Sequence, residues 1–143
     1  MKTPYDTALR MQQREVDAVK VAIAAAVERV ASLEEEASAL QGRTREERVL
    51  AHALPFDSDA WLALAKRELA RLAAEAEAAR GRLVQLRAQA LEAFGRLRAI
   101  EIAAERYRDE QARALEAAEQ AAIDDIAAAR FLRERKRMLV KAG

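Results

Sequence analysis

The chain contains no cysteine. Disulfides and thiolate metal sites are therefore excluded. Among 143 residues it has only four glycines and two prolines, so there are few places where it can turn. Its aromatics are few: one Trp, two Tyr and three Phe. A single histidine, His52, stands without a second His or any Cys to share a metal, and we read it as a surface residue beside a turn. No apolar run approaches the ~20 residues needed to cross a bilayer. The glycines are scattered, so no phosphate-cradling loop exists, and no nucleophile–base set accompanies them. We expect a protein that is not an enzyme and has no cofactor and no metal. One-sided charge is also lacking. Lys plus Arg number 25 and Asp plus Glu 24, a net charge of +1, where a dedicated nucleic-acid binder carries a large basic excess, so no nucleic-acid partner is expected.

What remains is mostly Ala, Leu, Glu and Arg, the composition of long helices and coiled coils. The apolar residues recur every seven positions, in two runs. The first is Leu9, Val16, Ile23, Val30 and Ala37, interleaved with Tyr5, Val19, Ala26, Leu33 and Leu40; Gln12 is its polar interruption. The second is Leu62, Leu69, Ala76, Leu83, Ala90 and Leu97, interleaved with Ala65, Leu72, Ala79, Leu86, Ala93 and Ile100. A heptad seam needs a partner helix. Two seams joined by a short breaker can supply each other's. The expected fold is all-α, a single domain over 1–143: two long helices forming an antiparallel coiled-coil hairpin with a C-terminal overhang. Helix 1 is expected over about 4–53, the loop at about 54–57 and helix 2 over about 58–140.

The boundaries follow from local signals. Thr3 is the expected N-cap, Pro4 suits a first turn, and Asp6 sits near the positive helix end. Thr44 and Glu47 fall where apolar seam residues are due, and Gly42 weakens the helix, so 41–48 reads as an exposed or frayed stretch of helix. Pro55 stops the first helix at Leu54. Asp57 or Ser58 can cap the second, with Phe56 and Trp61 spaced as a hydrophobic staple. Gly81 and Gly95 lie between seam positions, as tolerated residues or as points of close approach or bending. From Ala104 to Leu115 the repeat takes an eleven-residue step, a stutter. At 1.5 Å per residue the first helix spans ~75 Å and the second ~120 Å, so the second should overhang by ~45 Å, roughly Arg108 to Val140. Leu115, Ile123, Ile126, Phe131, Leu132, Met138 and Leu139 in that stretch have no cover within the chain. Such a stripe marks a partner interface.

The charged clusters divide. Asp124-Asp125 are consecutive on a helix and point ~100° apart, so they do not converge on a reacting atom. Glu34-Glu35-Glu36 and Arg43, Arg45 and Arg48 read as a solvated face. Arg130, Arg133, Arg135, Lys136, Arg137 and Lys141 suit a helix C-terminus but interleave with apolar residues, which solvation alone does not require. The residues leave two readings open: a structural coiled coil that self-associates through Leu115 to Leu139, and a basic tip for nucleic acid or an anionic membrane.

Three stretches resemble the FliJ family, the stalk-like subunit of the bacterial flagellar type III export apparatus with counterparts in injectisomes. They are Arg14-Glu15-Val16-Asp17 near the N-terminus, Ser58-Asp59-Ala60-Trp61 with Leu62 and Leu69 at the start of the second helix, and Ile123-Asp124-Asp125-Ile126-Ala127 followed by Arg130. Gln120, Ala121 and Ala122 stand where family members often carry Lys, and Arg43, Glu47 and Arg48 where some carry aromatics. The resemblance implies a non-enzymatic antiparallel coiled coil whose terminal end enters the ring of an export ATPase hexamer. It also implies a loop end facing a membrane export gate, and contact with export chaperones. The residues implied at the ATPase end are Ile123, Asp124, Ile126, Arg130, Phe131 and Arg133; those at the loop end are Phe56 and Trp61. The expected location is cytoplasmic, peripheral to the inner-membrane export apparatus. Nothing in Met1-Lys2-Thr3-Pro4-Tyr5-Asp6 forms the apolar core of a signal peptide.

Overall fold

A computed structural model describes residues 2–53 and 59–142. Two helices account for nearly all of them: α1, Asp6–Ala53, and α2, Asp59–Ala142. The helices pack against each other as an all-α hairpin, with no strand among the described residues. The expected loop and the proposed caps and staple at Asp57, Ser58 and Phe56 lie outside the described residues. The chain divides into two compact units, Arg10–Leu97 and Met1–Leu9 with Arg98–Gly143.

In the unit Arg10–Leu97 the buried positions follow the heptad. On α1 they are Gln12, Val16, Leu33, Leu40 and Thr44; on α2 they include Leu72, Leu83, Leu86 and Leu97. A central cluster joins Leu33 and Leu40 to Ala65, Leu72 and Ala76, with Ala37, Leu69 and Ala79 against it. Of the seam alanines of α2 in this unit, Ala65, Ala76, Ala90 and Ala93 are buried and Ala79 is half-buried. Small side chains there let the helices come close. The pairing is antiparallel, because partners early in α1 are late in α2. Glu15 pairs with Arg96 at 3.3 Å, Arg29 with Glu75 at 3.2 Å, and Glu34 with Arg80 at 2.9 Å. These exposed pairs select partner and register more than they stabilise. The Glu34 hydrogen bond raises the Arg80 pKa above its ordinary value. Arg71 hydrogen-bonds Glu68 and Glu75 along its own helix, which lowers the Glu68 pKa from its ordinary value.

Two polar residues sit inside this seam without an orphaned group. Gln12 donates its side-chain N–H to the Ala93 carbonyl across the seam, at 3.1 Å. A bond of this kind is made in one register only, so the interruption in the heptad specifies alignment. At 41–48 most residues are exposed on a continuous helix, and Thr44 alone corrects the expectation of exposure. The helix continues to Ala53 and Thr44 is buried, its hydroxyl donating to the Leu40 carbonyl at 2.8 Å. Thr is short enough to satisfy its own hydroxyl on the preceding turn while its methyl stays in the seam.

Of the readings open at Gly81 and Gly95, close approach is excluded. A Cβ built at Gly42, Gly81 or Gly95 would meet nothing within 4 Å, so close approach is not their role. None has positive φ. Gly81→Ala is expected to stabilise the protein by about 1 kcal/mol, because alanine restricts the unfolded chain and costs nothing in the helix. The urea midpoint should rise; an unchanged or lower midpoint would show that the glycine relieves a strain.

In the unit Met1–Leu9 with Arg98–Gly143, the first turn is held by a reciprocal cap. The Thr3 hydroxyl accepts from the Tyr5 amide at 3.2 Å and donates to Asp6 Oδ1 at 2.8 Å, while the Thr3 amide donates to Asp6 Oδ2 at 3.2 Å. This is the capping-box arrangement with Asp in place of Glu. Pro4 and Tyr5 form a turn before α1 starts at Asp6, two residues later than the proline suggested. Tyr5 meets Tyr107 edge-on, with ring centroids 6.5 Å apart. Ala104 is buried and Tyr107 half-buried; every residue from Arg108 to Ala142 is exposed.

Candidate functional site

The segment 108–142 is a continuous part of α2, about 50 Å long at the helical rise, with no side chain covered. Alanine is the commonest residue of its first two-thirds, so the backbone stays helical on propensity and its own i→i−4 bonds. Local polar contacts support it. Gln120 donates to Asp124 at 3.0 Å, and Arg113 to the Asp109 carbonyl at 3.4 Å.

Helical spacing of about 100° per residue sorts the side chains by direction. Of the residues expected at the ATPase end, Ile123, Ile126, Arg130 and Arg133 lie on one side. Asp124 and Phe131, seven apart, lie on another, with Phe131 ~140° around from Ile126. The site is therefore two faces rather than one patch. Ile123 and Ile126 are each 58% exposed and Phe131 63%, well above what an apolar residue keeps when it has found cover. Three apolar directions emerge near the C-terminal end: Ile126 with Val140, Phe131 with Met138, and Leu132 with Leu139, all exposed. Shallow surface hollows run beside two of them, one lined by Phe131, Glu134, Arg135 and Met138, the other by Arg133, Lys136, Arg137, Val140 and Lys141. Cations surround the helix here as the apolar groups do. Apolar groups pointing in several directions can all be covered only by a partner that encloses the helix.

The second candidate region belongs to the unit Arg10–Leu97. Trp61 is 38% exposed. It flanks an open groove between α1 and α2, together with Glu36, Leu40, Arg43, Leu64 and Glu68. Val49 and Leu50 are exposed on α1, beside Arg45 and Glu46. Leu64 is not among the candidates that the sequence suggests. Its signal was available: Leu64 is a large apolar residue off the heptad seam. Phe56, the second residue expected at this end, lies outside the described residues. His52 is exposed, as are Arg43, Arg45 and Arg48.

Among the described residues no three His, Cys, Asp or Glu side chains gather to hold a metal ion. No described helix is long and apolar enough to cross a membrane. In comparisons with protein-family models, curated proteins and solved structures, nothing matches this chain.

Proposed function

We propose that this chain is the stalk of a bacterial type III protein export apparatus, of the flagellar kind, and performs no chemistry itself. The segment 108–142 enters the ring of the export ATPase hexamer and favours the assembled ring. The end bearing Trp61 faces the export gate, and export chaperones bind along the hairpin. The protein acts in the cytoplasm and reaches the membrane only through the apparatus.

One observation carries the reading: the final turns of α2 expose apolar groups in three directions, interleaved with Arg130, Arg133, Arg135, Lys136 and Arg137. A flat partner would cover about one of those directions. A ring covers all of them, and an acidic lumen would meet the cations. The resemblance of Ile123-Asp124-Asp125-Ile126 and Arg130 to the family's C-terminal stretch supports the same end. Burying this surface only in the assembled ring shifts assembly by mass action, with no catalytic group required.

The test is ATP hydrolysis and ring formation by a purified flagellar export ATPase with added stalk. Full-length protein should stimulate roughly fivefold or more. A chain ending at Ala118 should not. Undiminished stimulation by the shortened chain would refute the assignment of this end.

A further inference from the structure

We propose that, in the absence of another partner, segment 108–142 pairs antiparallel with the same segment of a second copy of this chain. The occupant is argued from charge. The first half of the segment carries Asp109, Glu110, Glu116, Glu119, Asp124 and Asp125, offset only by Arg108 and Arg113. The second half carries Arg130, Arg133, Arg135, Lys136, Arg137 and Lys141, offset only by Glu134. The segment is thus a helix with an acidic half and a basic half, exposed throughout. Two copies side by side in the same direction set acid on acid and base on base. Reversed, each half meets its opposite, and two-fold symmetry makes every attractive pair occur twice.

The apolar positions agree with this arrangement. Ala118, Ala122, Ala129 and Val140 lie within one stripe, and three of the four are small enough for close helix approach. With the crossing centred near Ala129, Ala118 comes opposite Val140 of the second copy. Glu119 and Arg137 then fall on one flank of the stripe; Asp125 lies at its other edge, with Lys136 beside it in line with Ala118. These flanks are where opposite charges choose orientation in coiled coils. The pair leaves Phe131 and Met138 outside, so it covers less apolar surface than an enclosing ring would. This inference does not rest on the export reading, since the second copy needs no other protein.

Sedimentation equilibrium on the full chain tests it. The native protein should dimerise with a dissociation constant in the micromolar range. Glu119→Lys with Asp125→Lys should weaken this at least about tenfold, and so should Lys136→Glu with Arg137→Glu. Mixed together, the two variants should recover native affinity, because each reversed residue then faces its opposite. All four positions are exposed, so circular dichroism should show the hairpin unaltered. Orientation is read by disulfide formation, the native chain having no cysteine. The Ala118→Cys variant should couple to the Val140→Cys variant in preference to a second copy of itself. A chain that stays monomeric at every concentration overturns the proposal. So do variants that dimerise undiminished, a preferred link between two copies of the Ala118→Cys variant, and a monomer that instead sediments with anionic vesicles.

Discussion

Leu33→Asp should remove at least about 3 kcal/mol of stability, whereas Ile123→Asp should leave stability within about 0.5 kcal/mol. The two substitutions are similar in chemistry and differ in surroundings. Leu33 is 1% exposed and belongs to the central cluster with Leu40, Ala65, Leu72 and Ala76. A carboxylate there loses the leucine's burial and its own hydration together, and nothing in that apolar cluster offers it a cation or a donor. A native domain has about 5–15 kcal/mol in total, so one such change consumes a large part of it. Ile123 is 58% exposed, and an aspartate there meets water. Trp61, the only tryptophan, lies in the same unit as Leu33, so its fluorescence in a urea titration reports that unit's unfolding. The same pair of variants separates folding from partner binding. Ile123→Asp should keep the native midpoint yet lose stimulation of the ATPase. If it instead unfolds the protein, segment 108–142 is covered within the chain.

This contrast also marks what was legible in the residues. The buried positions Val16, Leu33, Leu40, Leu72, Leu83 and Leu97 all lie on the two heptad stripes, because burial in a two-helix seam has a strict period and little else to decide it. Gln12 and Thr44 were the difficult positions. Hydropathy marks both as interruptions, but whether a polar side chain is admitted depends on a particular acceptor: the Ala93 carbonyl 81 residues away for Gln12, and the preceding turn for Thr44. The first acceptor exists only once the register is set, so no local pattern encodes it. The candidate surfaces divide in the same way. Uncovered apolar residues such as Ile126 and Phe131 follow from the unequal lengths of the two helices. Which of them share a direction is a matter of helical angle, and it splits the expected site into two faces. The groove at Trp61 needs both helices, since α1 contributes Leu40 and Arg43 and α2 contributes Leu64 and Glu68. A reading along one stretch of sequence sees its walls separately.

Backbone amides from 115 to 139 should exchange with solvent at least about a hundredfold faster than those from 72 to 97. The two stretches are equally helical, so secondary structure alone predicts no difference. The cause is tertiary. Opening the helix at Leu72 or Leu97 means lifting a buried side chain out of the seam, so exchange there follows unfolding of the unit as a whole. Opening at Ile126 breaks only intrahelical bonds, and each residue of a good helix former gains little by staying helical: s is about 1–1.6 even near 0 °C. Alanines hold the segment helical on average without holding it shut. Mass spectrometry after deuterium labelling, at protein concentrations below the self-pairing range, gives the comparison directly. Raising the concentration should then slow exchange across 118–140 while leaving 72–97 unchanged. An assembled export ATPase ring should slow it further, because it also covers the side chains of Phe131 and Met138, which the self-pair leaves exposed. Equal protection of both stretches in the dilute chain would mean that something within the chain covers the second half of α2. In that case the helix would have no free surface to offer, either to a ring or to a second copy of itself.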